Sequence, residues 1–187
     1  MRIGAYPGSF DPPTLAHLAI TEAAIAQCDL DRVDLVLSEV ALGKPEHHVR
    51  LTDRLAVLSR IADRLPRLRA TVTPHRLLVD IASGYDVVVM GADKWAQVAD
   101  PAWYGDRSAR DEALAALPHV AVAPRSGAEV PSGATVLDLE PDHGTVSSTA
   151  VRAGAHDLMA PEAAAFAAAT GAWVDPDRYA RWLAEGP

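Results

Sequence analysis

The sequence predicts an α/β protein: a doubly wound, mainly parallel sheet with helices on both faces and a small helical appendage at the C-terminal end. Three observations predict it. Apolar runs of strand length alternate, in a βαβα order, with segments whose apolar residues recur every three or four positions. Aromatic residues make up only 5% of the chain while Ala, Val and Leu abound, so the core is expected to be layered aliphatic packing rather than stacked rings. Beyond Val146 the alternation stops and only helical patterns follow. A chain of 187 residues, 49% of them hydrophobic, suffices for one well-buried domain and is short for two. Residues 1–187 are therefore expected to form a single domain, with 1–146 as the α/β core and 147–187 as the appendage.

Arg2 to Tyr6 is an apolar run closed by Pro7 and Gly8, and it is the first strand. After the loop Pro7 to Pro13, the segment Thr14 to Gln27 carries Ala, Leu and Ile at helical spacing. Arg32 to Leu37 is the second strand, followed by the loop Leu42 to His48. The helix Thr52 to Leu65 comes next, with Thr52 read as its N-cap. Ala70 to Thr73 and Asp86 to Met90 are strands three and four, and Gly91 to Asp106 is read as a loop. His119 to Ala123 and Thr135 to Leu139 complete the strands, separated by the loop Arg125 to Gly133. Past the loop Pro141 to Thr145, helices are expected over Ser147 to Ala155, Pro161 to Thr170 and Pro176 to Ala184. The Ala-rich stretch Ala163 to Thr170 borders on low complexity, but Phe166 suits a packed helix. Most of the Gly- and Pro-bearing loops fall where the C-terminal ends of parallel strands open. In such Rossmann-like sheets ligands sit in that crevice.

Formal net charge is −8, and no Lys/Arg cluster of the kind that tracks a nucleic-acid backbone is present. Nucleic acid is thus not an expected partner, and a phosphate ligand would be held by a few placed cations and backbone amides. Cys28 is the only cysteine, which excludes an internal disulfide and a Cys-only metal cage and fits a reducing compartment; a cytoplasmic location is expected. No stretch approaches the ~20 apolar residues of a membrane span, and no basic segment followed by a long apolar run precedes the first strand. His47, His48, His75, His119, His143 and His156 show no metal-ligand spacing and are read as structural or solvated. The oligomeric state is left open, a homo-oligomer included.

Strand one runs into Tyr6-Pro7-Gly8-Ser9-Phe10-Asp11-Pro12-Pro13-Thr14-Leu15-Ala16-His17, with the first long helix beginning near Thr14. The loop delivers backbone N–H groups, the Ser9 hydroxyl and the His17 imidazole to the positive end of a helix, where anions bind. Thr14 and His17 are three apart, so they share a face and can grip one anion. On chemistry alone the segment reads equally as an ordinary β–turn–α connection, with Thr14 as N-cap and His17 as a half-buried helix residue. Neither GxGxxG nor GxxxxGK[ST] occurs here, against a dinucleotide fingerprint or a Walker loop. The stretch resembles the G-x-F-D-P-x-[HT]-x-G-H signature of the HIGH-motif nucleotidyltransferase superfamily. Gly8, Phe10, Asp11, Pro12, Thr14 and His17 match, and Ala16 stands for the usual Gly. The resemblance implies that His17 and Thr14 bind the phosphates of a nucleoside triphosphate, with Gly8, Ser9 and Phe10 among the nucleotide-contacting positions.

A second constellation, Val146-Ser147-Ser148-Thr149-Ala150-Val151-Arg152, sets three hydroxyl residues at a helix start with Arg152 one turn on. By itself it reads as a capped helix with a surface Arg. It is similar to the I-S-S-T-x-x-R signature of the same superfamily, which implies that Ser148, Thr149 and Arg152 hold the β- and γ-phosphates, with Ser147 among the nucleotide-binding positions.

Lys44, in a Gly-Lys-Pro loop after strand two, stands where a Lys of this superfamily reaches the transferring phosphate; a solvated loop Lys is the plain alternative. Arg50 and Arg54 flank the next helix start, where they could assist Lys44, and Arg54 is read as a surface residue. Gly91-Ala92-Asp93 follows strand four, and Trp103-Tyr104 lies beyond it. This segment is similar to bacterial nicotinate-mononucleotide adenylyltransferases, which implies that Asp93 contacts the ATP ribose and that Trp103 and Tyr104 line an acceptor pocket for a pyridine ring. Packing is the competing role for Trp103. The Tyr-Pro-Gly-Ser-Phe-Asp-Pro run with Thr14, and Leu77-Leu78-Val79-Asp80, look more like pantetheine-phosphate adenylyltransferase. The reaction implied is transfer of AMP from ATP to nicotinate or nicotinamide mononucleotide, with Mg²⁺ carried on the triphosphate. Another phosphorylated acceptor, such as phosphopantetheine or a sugar or alcohol phosphate with CTP, and a nucleotide-binding module without turnover are the alternatives.

Overall fold

A computed structural model describes residues 1–40, 47–125, 130–140 and 146–186. Lys44, one of the expected phosphate-contacting residues, lies outside the described residues. Among those described, six strands form one sheet in the order β3-β2-β1-β4-β5-β6, with every pairing parallel. They are β1 (Ile3–Pro7), β2 (Arg32–Ser38), β3 (Leu68–Thr73), β4 (Val87–Gly91), β5 (His119–Ala123) and β6 (Thr135–Val136). This is the open, Rossmann-like order, in which the order of the strands reverses between β1 and β4 and a crevice opens at their C-terminal ends.

Side chains alternate across the sheet as a strand must. Val87 and Val89 pack on one face with Val57, Leu58 and Ile61 of α2 (Leu51–Arg64) and Ile20 and Ala24 of α1 (Leu15–Gln27). Val88 and Met90 pack on the other with Leu78 of α3 (Leu78–Ile81) and Ala92 and Val98 of α4 (Ala92–Val98). Both faces are covered, as an all-parallel sheet requires.

Three helices depart from the expectation. α3 and α4 flank β4 and are short, so neither offers enough turns for an apolar period; α4 occupies part of the segment read as a loop. α5 (Arg107–Ala115) buries no residue, hence no apolar stripe marks it; its signal is Asp106, whose side chain accepts from the Ala109 amide at 2.9 Å. Thr52 is not the N-cap of α2. That place belongs to Arg50, and Asp53 closes the first turn by accepting from the Arg50 guanidinium at 3.0 and 3.2 Å. The strand expected over Thr135 to Leu139 is reduced to β6, although Leu137 still donates to the Val122 carbonyl at 2.9 Å.

At the C-terminal end, α6 (Ser148–Arg152), α7 (Pro161–Thr170) and α8 (Pro176–Glu185) follow one another. The Ala-rich α7 is a packed helix: Ala163, Phe166 and Ala167 are buried, and the Phe166 ring meets Trp173 and Trp182 edge-on at 5.9 and 5.7 Å. Gly171 makes the turn between α7 and α8 at φ 87°, where a Cβ would sit 2.9 Å from the Asp175 carbonyl. The appendage is also tied to the first loop, since the Ala160 amide donates to the Pro13 carbonyl and Met159 bridges Thr14.

Candidate functional site

At the switch point between β1 and β4 lies a cavity of about 360 Å³. Its floor is the strand ends Tyr6 to Gly8, Val36, Gly91 and Ala123, and the side chains of His17, Asp93 and Trp103 face it from three helical segments. Two expectations of position therefore meet in one space: the loop after β1 and the segment after β4.

His17 is the third residue of α1, and its ring turns back on the helix start. The Thr14 amide donates to Nδ1 at 3.0 Å, and the Thr14 hydroxyl lies 2.7 Å from the same nitrogen. An amide N–H only donates, so Nδ1 is an acceptor and the proton of neutral His17 resides on Nε2. Phe10 and Tyr6 set the ring plane from below, with centroids 5.0 and 6.0 Å from the imidazole. A Cβ on Gly8 would lie 2.9 Å from the Phe10 ring, so the glycine is what lets that ring pass under the loop. Thr14 is fully buried and Phe10 is 1% exposed; Thr14 orients the imidazole, and the Phe10 ring packs against it.

Asp11 is the hub of the loop. Its carboxylate, 3% exposed, accepts from the Trp173 indole N–H at 2.7 Å and from the His48 amide at 3.0 Å, with His48 Nδ1 at 3.2 Å. Burial pushes this carboxyl up, yet the His48 and Trp173 hydrogen bonds and the nearby Arg54 charge outweigh it, so Asp11 titrates below the ordinary aspartate range. His47 lies 3.7 Å away and lines the cavity, a place that its reading as merely structural or solvated did not foresee.

Arg54, read from sequence as a surface residue, is 2% exposed and lines the cavity. It is the fourth residue of α2, which points it inward; it donates to the Val49 carbonyl at 2.9 Å and the Ser9 carbonyl at 2.7 Å, fixing the loop from a second side. Arg50 instead pairs with Asp53 outside the cavity.

On the β4 side, Asp93 is the second residue of α4 and folds back over Gly91, where a Cβ would meet its Oδ1 at 2.5 Å. Arg125 follows β5 and donates to the Val146 carbonyl at 3.3 Å. Burial pushes the Tyr6 phenol far above its usual range; Arg125 draws it back, and Asp93 adds to the rise. Trp103 and Tyr104 both line the cavity, half-buried, and the Tyr104 hydroxyl donates to the Val98 carbonyl at 3.0 Å. Burial raises Tyr104 as well, with Arg110 opposing. Arg76, Lys94 and Arg125 are cavity cations that sequence reasoning did not single out; their only signal is proximity in chain to strand ends.

The second constellation packs against the first. The Ser148 hydroxyl donates to the Pro12 carbonyl at 2.7 Å, and Arg152 donates to the Asp11 carbonyl. Ser147 caps α6 through the Ala150 amide at 3.1 Å, and Thr149 is exposed with its hydroxyl 3.4 Å from Arg152. None of these four is among the described residues lining the cavity. Their sequence separation from the loop is thus closed in space, with Asp11 and Pro12 at the joint. Among the described residues no three or more His, Cys, Asp and Glu converge on a metal-sized site. Asp93 is the lone carboxylate among the described cavity residues, a donor set that fits a cation already coordinated by phosphate oxygens.

A family model for cytidylyltransferase-like proteins matches residues 5–154. The chain is 38% identical over 98 residues to a phosphopantetheine adenylyltransferase of Paracoccus denitrificans, covering 49% of this chain and 57% of that one. It is 36% identical over 76 residues to a probable nicotinate-nucleotide adenylyltransferase of Albidiferax ferrireducens, covering 41% and 37%. A protein of the same printed name from Bordetella avium is 30% identical over 105 residues, covering 51% and 53%. The chain spans about half the length of the curated relatives it matches. No helix among the described residues is long and apolar enough to cross a membrane.

Proposed function

Because the chain belongs to the cytidylyltransferase-like family, we propose that it transfers AMP from ATP to nicotinate or nicotinamide mononucleotide and releases pyrophosphate. The observation that carries this reading is His17: an imidazole whose Nδ1 is occupied by Thr14, so that Nε2–H is the donor offered at the cavity between β1 and β4. Trp103 and Tyr104 on the cavity wall support a planar acceptor, since an indole is a good partner for a pyridine ring.

An acceptor phosphate oxygen attacks the α-phosphorus in line, the bond from that phosphorus to the bridging oxygen breaks, and pyrophosphate leaves with the electron pair. A phosphate monoester is nucleophilic near neutral pH, so no general base is required. Catalysis then rests on positioning and on donors aimed at the developing charge. His17 supplies one donor; Lys44 and Arg152, with the hydroxyls of Ser147, Ser148 and Thr149, are assigned to the phosphates, and Asp93 to the ribose. Mg²⁺ carried on the triphosphate would neutralise charge there, and Asp93, the one carboxylate among the described residues lining the cavity, would be the protein group available to it.

Phosphopantetheine is the second acceptor reading, favoured by the name of the Paracoccus relative and by the apolar Leu77 and Leu78 in the cavity wall. The test is pyrophosphate release from ATP or CTP with Mg²⁺ and each of nicotinate mononucleotide, nicotinamide mononucleotide and phosphopantetheine. Release with a pyridine nucleotide and ATP is expected. Release with phosphopantetheine alone would transfer the assignment to that acceptor, and release with none would refute it.

A further inference from the structure

We infer that Arg76 determines acceptor specificity by binding a second negative charge on the acceptor, a carboxylate remote from the phosphate that reacts; this rests on the acceptor reading proposed above. The cavity contains several cations, and most are committed within the protein. Arg54 holds the Val49 and Ser9 carbonyls, Arg125 holds the Val146 carbonyl, Lys94 donates to Gln97 Oε1 at 2.7 Å, and His47 faces Asp11. Arg76 also lines the cavity, and among the described residues it makes no hydrogen bond or ion pair.

Its place in the fold gives that charge a purpose. Arg76 lies between β3 and α3, so it stands on the α3–α4 side of the sheet, with Leu77, Leu78, Val98 and Trp103 forming the adjoining wall. That wall suits the body of a flat, largely apolar group, and the guanidinium suits an anion at its edge. Guanidinium meets carboxylate through two parallel N–H···O bonds, a geometry that a carboxamide cannot reproduce because one of its two ends is itself a donor. An acceptor with a neutral edge would also displace water from Arg76 while replacing only part of its bonds. Discrimination from such a mismatch exceeds that from added apolar contact. In the acceptor class proposed above, the acid is thereby selected over the amide.

Nicotinate and nicotinamide mononucleotide differ at this group alone and are the probes. Their affinities for wild type, Arg76→Gln and Arg76→Lys are measured by calorimetry, with pyrophosphate release followed in parallel and melting temperature checking the fold. Wild type is expected to bind the acid at least about tenfold more tightly than the amide. Arg76→Gln should erase that ratio by weakening the acid alone, and Arg76→Lys should restore part of it. An unchanged ratio in Arg76→Gln, equal weakening of both probes, or binding of neither by wild type would overturn the inference. If the ratio behaves as expected but neither probe yields pyrophosphate, Arg76 keeps its assignment and the transfer reaction is the part that fails.

Discussion

The imidazole of His17 is held from behind by the amide and hydroxyl of Thr14, and that arrangement assigns different tests to the two residues. His17→Ala removes the donor and should lower turnover on the order of 10²–10³ in a pyrophosphate-release assay, with the thermal unfolding midpoint nearly unchanged because the ring is only half-buried. Thr14→Val keeps the amide bond and the volume but deletes the hydroxyl; a loss of about tenfold in kcat with KM for ATP unaltered is expected, the scale of one hydrogen bond. Asp11 makes a pH prediction. Its folded carboxyl titrates below the ordinary value, so the unfolded chain takes up the proton first as pH falls. The stability it contributes is present above about pH 4 and is lost as pH drops through the lowered folded value. Asp11→Asn should therefore weaken the protein in urea titrations at pH 7 and narrow the gap between wild type and variant at pH 3. Asp93 was legible because it directly follows a strand, and His17 because its loop matches a signature; on loop chemistry alone His17 read equally as a half-buried helix residue. Arg54, Arg76 and His47 were not, because a lone cation carries no local pattern that says whether it faces water or a cavity; only the packing of α2 turns Arg54 inward.

Between elements, the decisive contacts join segments far apart in the chain. The Trp173 indole reaches Asp11 across 162 positions, and Tyr179 bonds Asp53 across 126. Trp173 lies beyond residues 5–154, the part that the family model matches, yet it fixes the loop that leads into the helix bearing His17. Trp173→Phe keeps an aromatic ring but removes the indole N–H donor and part of the buried volume. It should cost about 1–3 kcal/mol in chemical denaturation and raise KM for the triphosphate, since the Asp11 loop loses one of its anchors. At the other edge of the cavity, Gly91→Ala would place a methyl where the Asp93 Oδ1 lies. ATP affinity should fall several-fold by calorimetry with little change in stability, since the atom displaced is the end of a side chain rather than backbone. The long helices α1 and α2 and the buried strands were legible from their period. The short α3 and α4 fall below the length at which a period can register, and α5 presents no buried stripe to detect. The reach of the C-terminal appendage back to the first loop is a property of tertiary packing that no local pattern encodes.

Across the whole molecule, a chain of net charge −8 gathers Arg54, Arg76, Lys94 and Arg125 around one cavity. An acidic exterior with a cationic crevice directs a polyanion to one place, and low-dielectric walls strengthen that field. The α/β order and the location of the crevice followed from strand and helix alternation; the number and commitment of its cations did not, because they depend on which strand ends become neighbours. The crevice is proposed to transfer a nucleotidyl group rather than merely to bind a triphosphate. ATP labelled at the α-phosphorus, incubated with the protein, Mg²⁺ and nicotinate mononucleotide, tests it most directly. Label should pass to a dinucleotide in step with pyrophosphate, one for one, and His17→Ala should suppress both together. Label that stays in ATP, or appears in free AMP while the acceptor remains unlabelled, would contradict it.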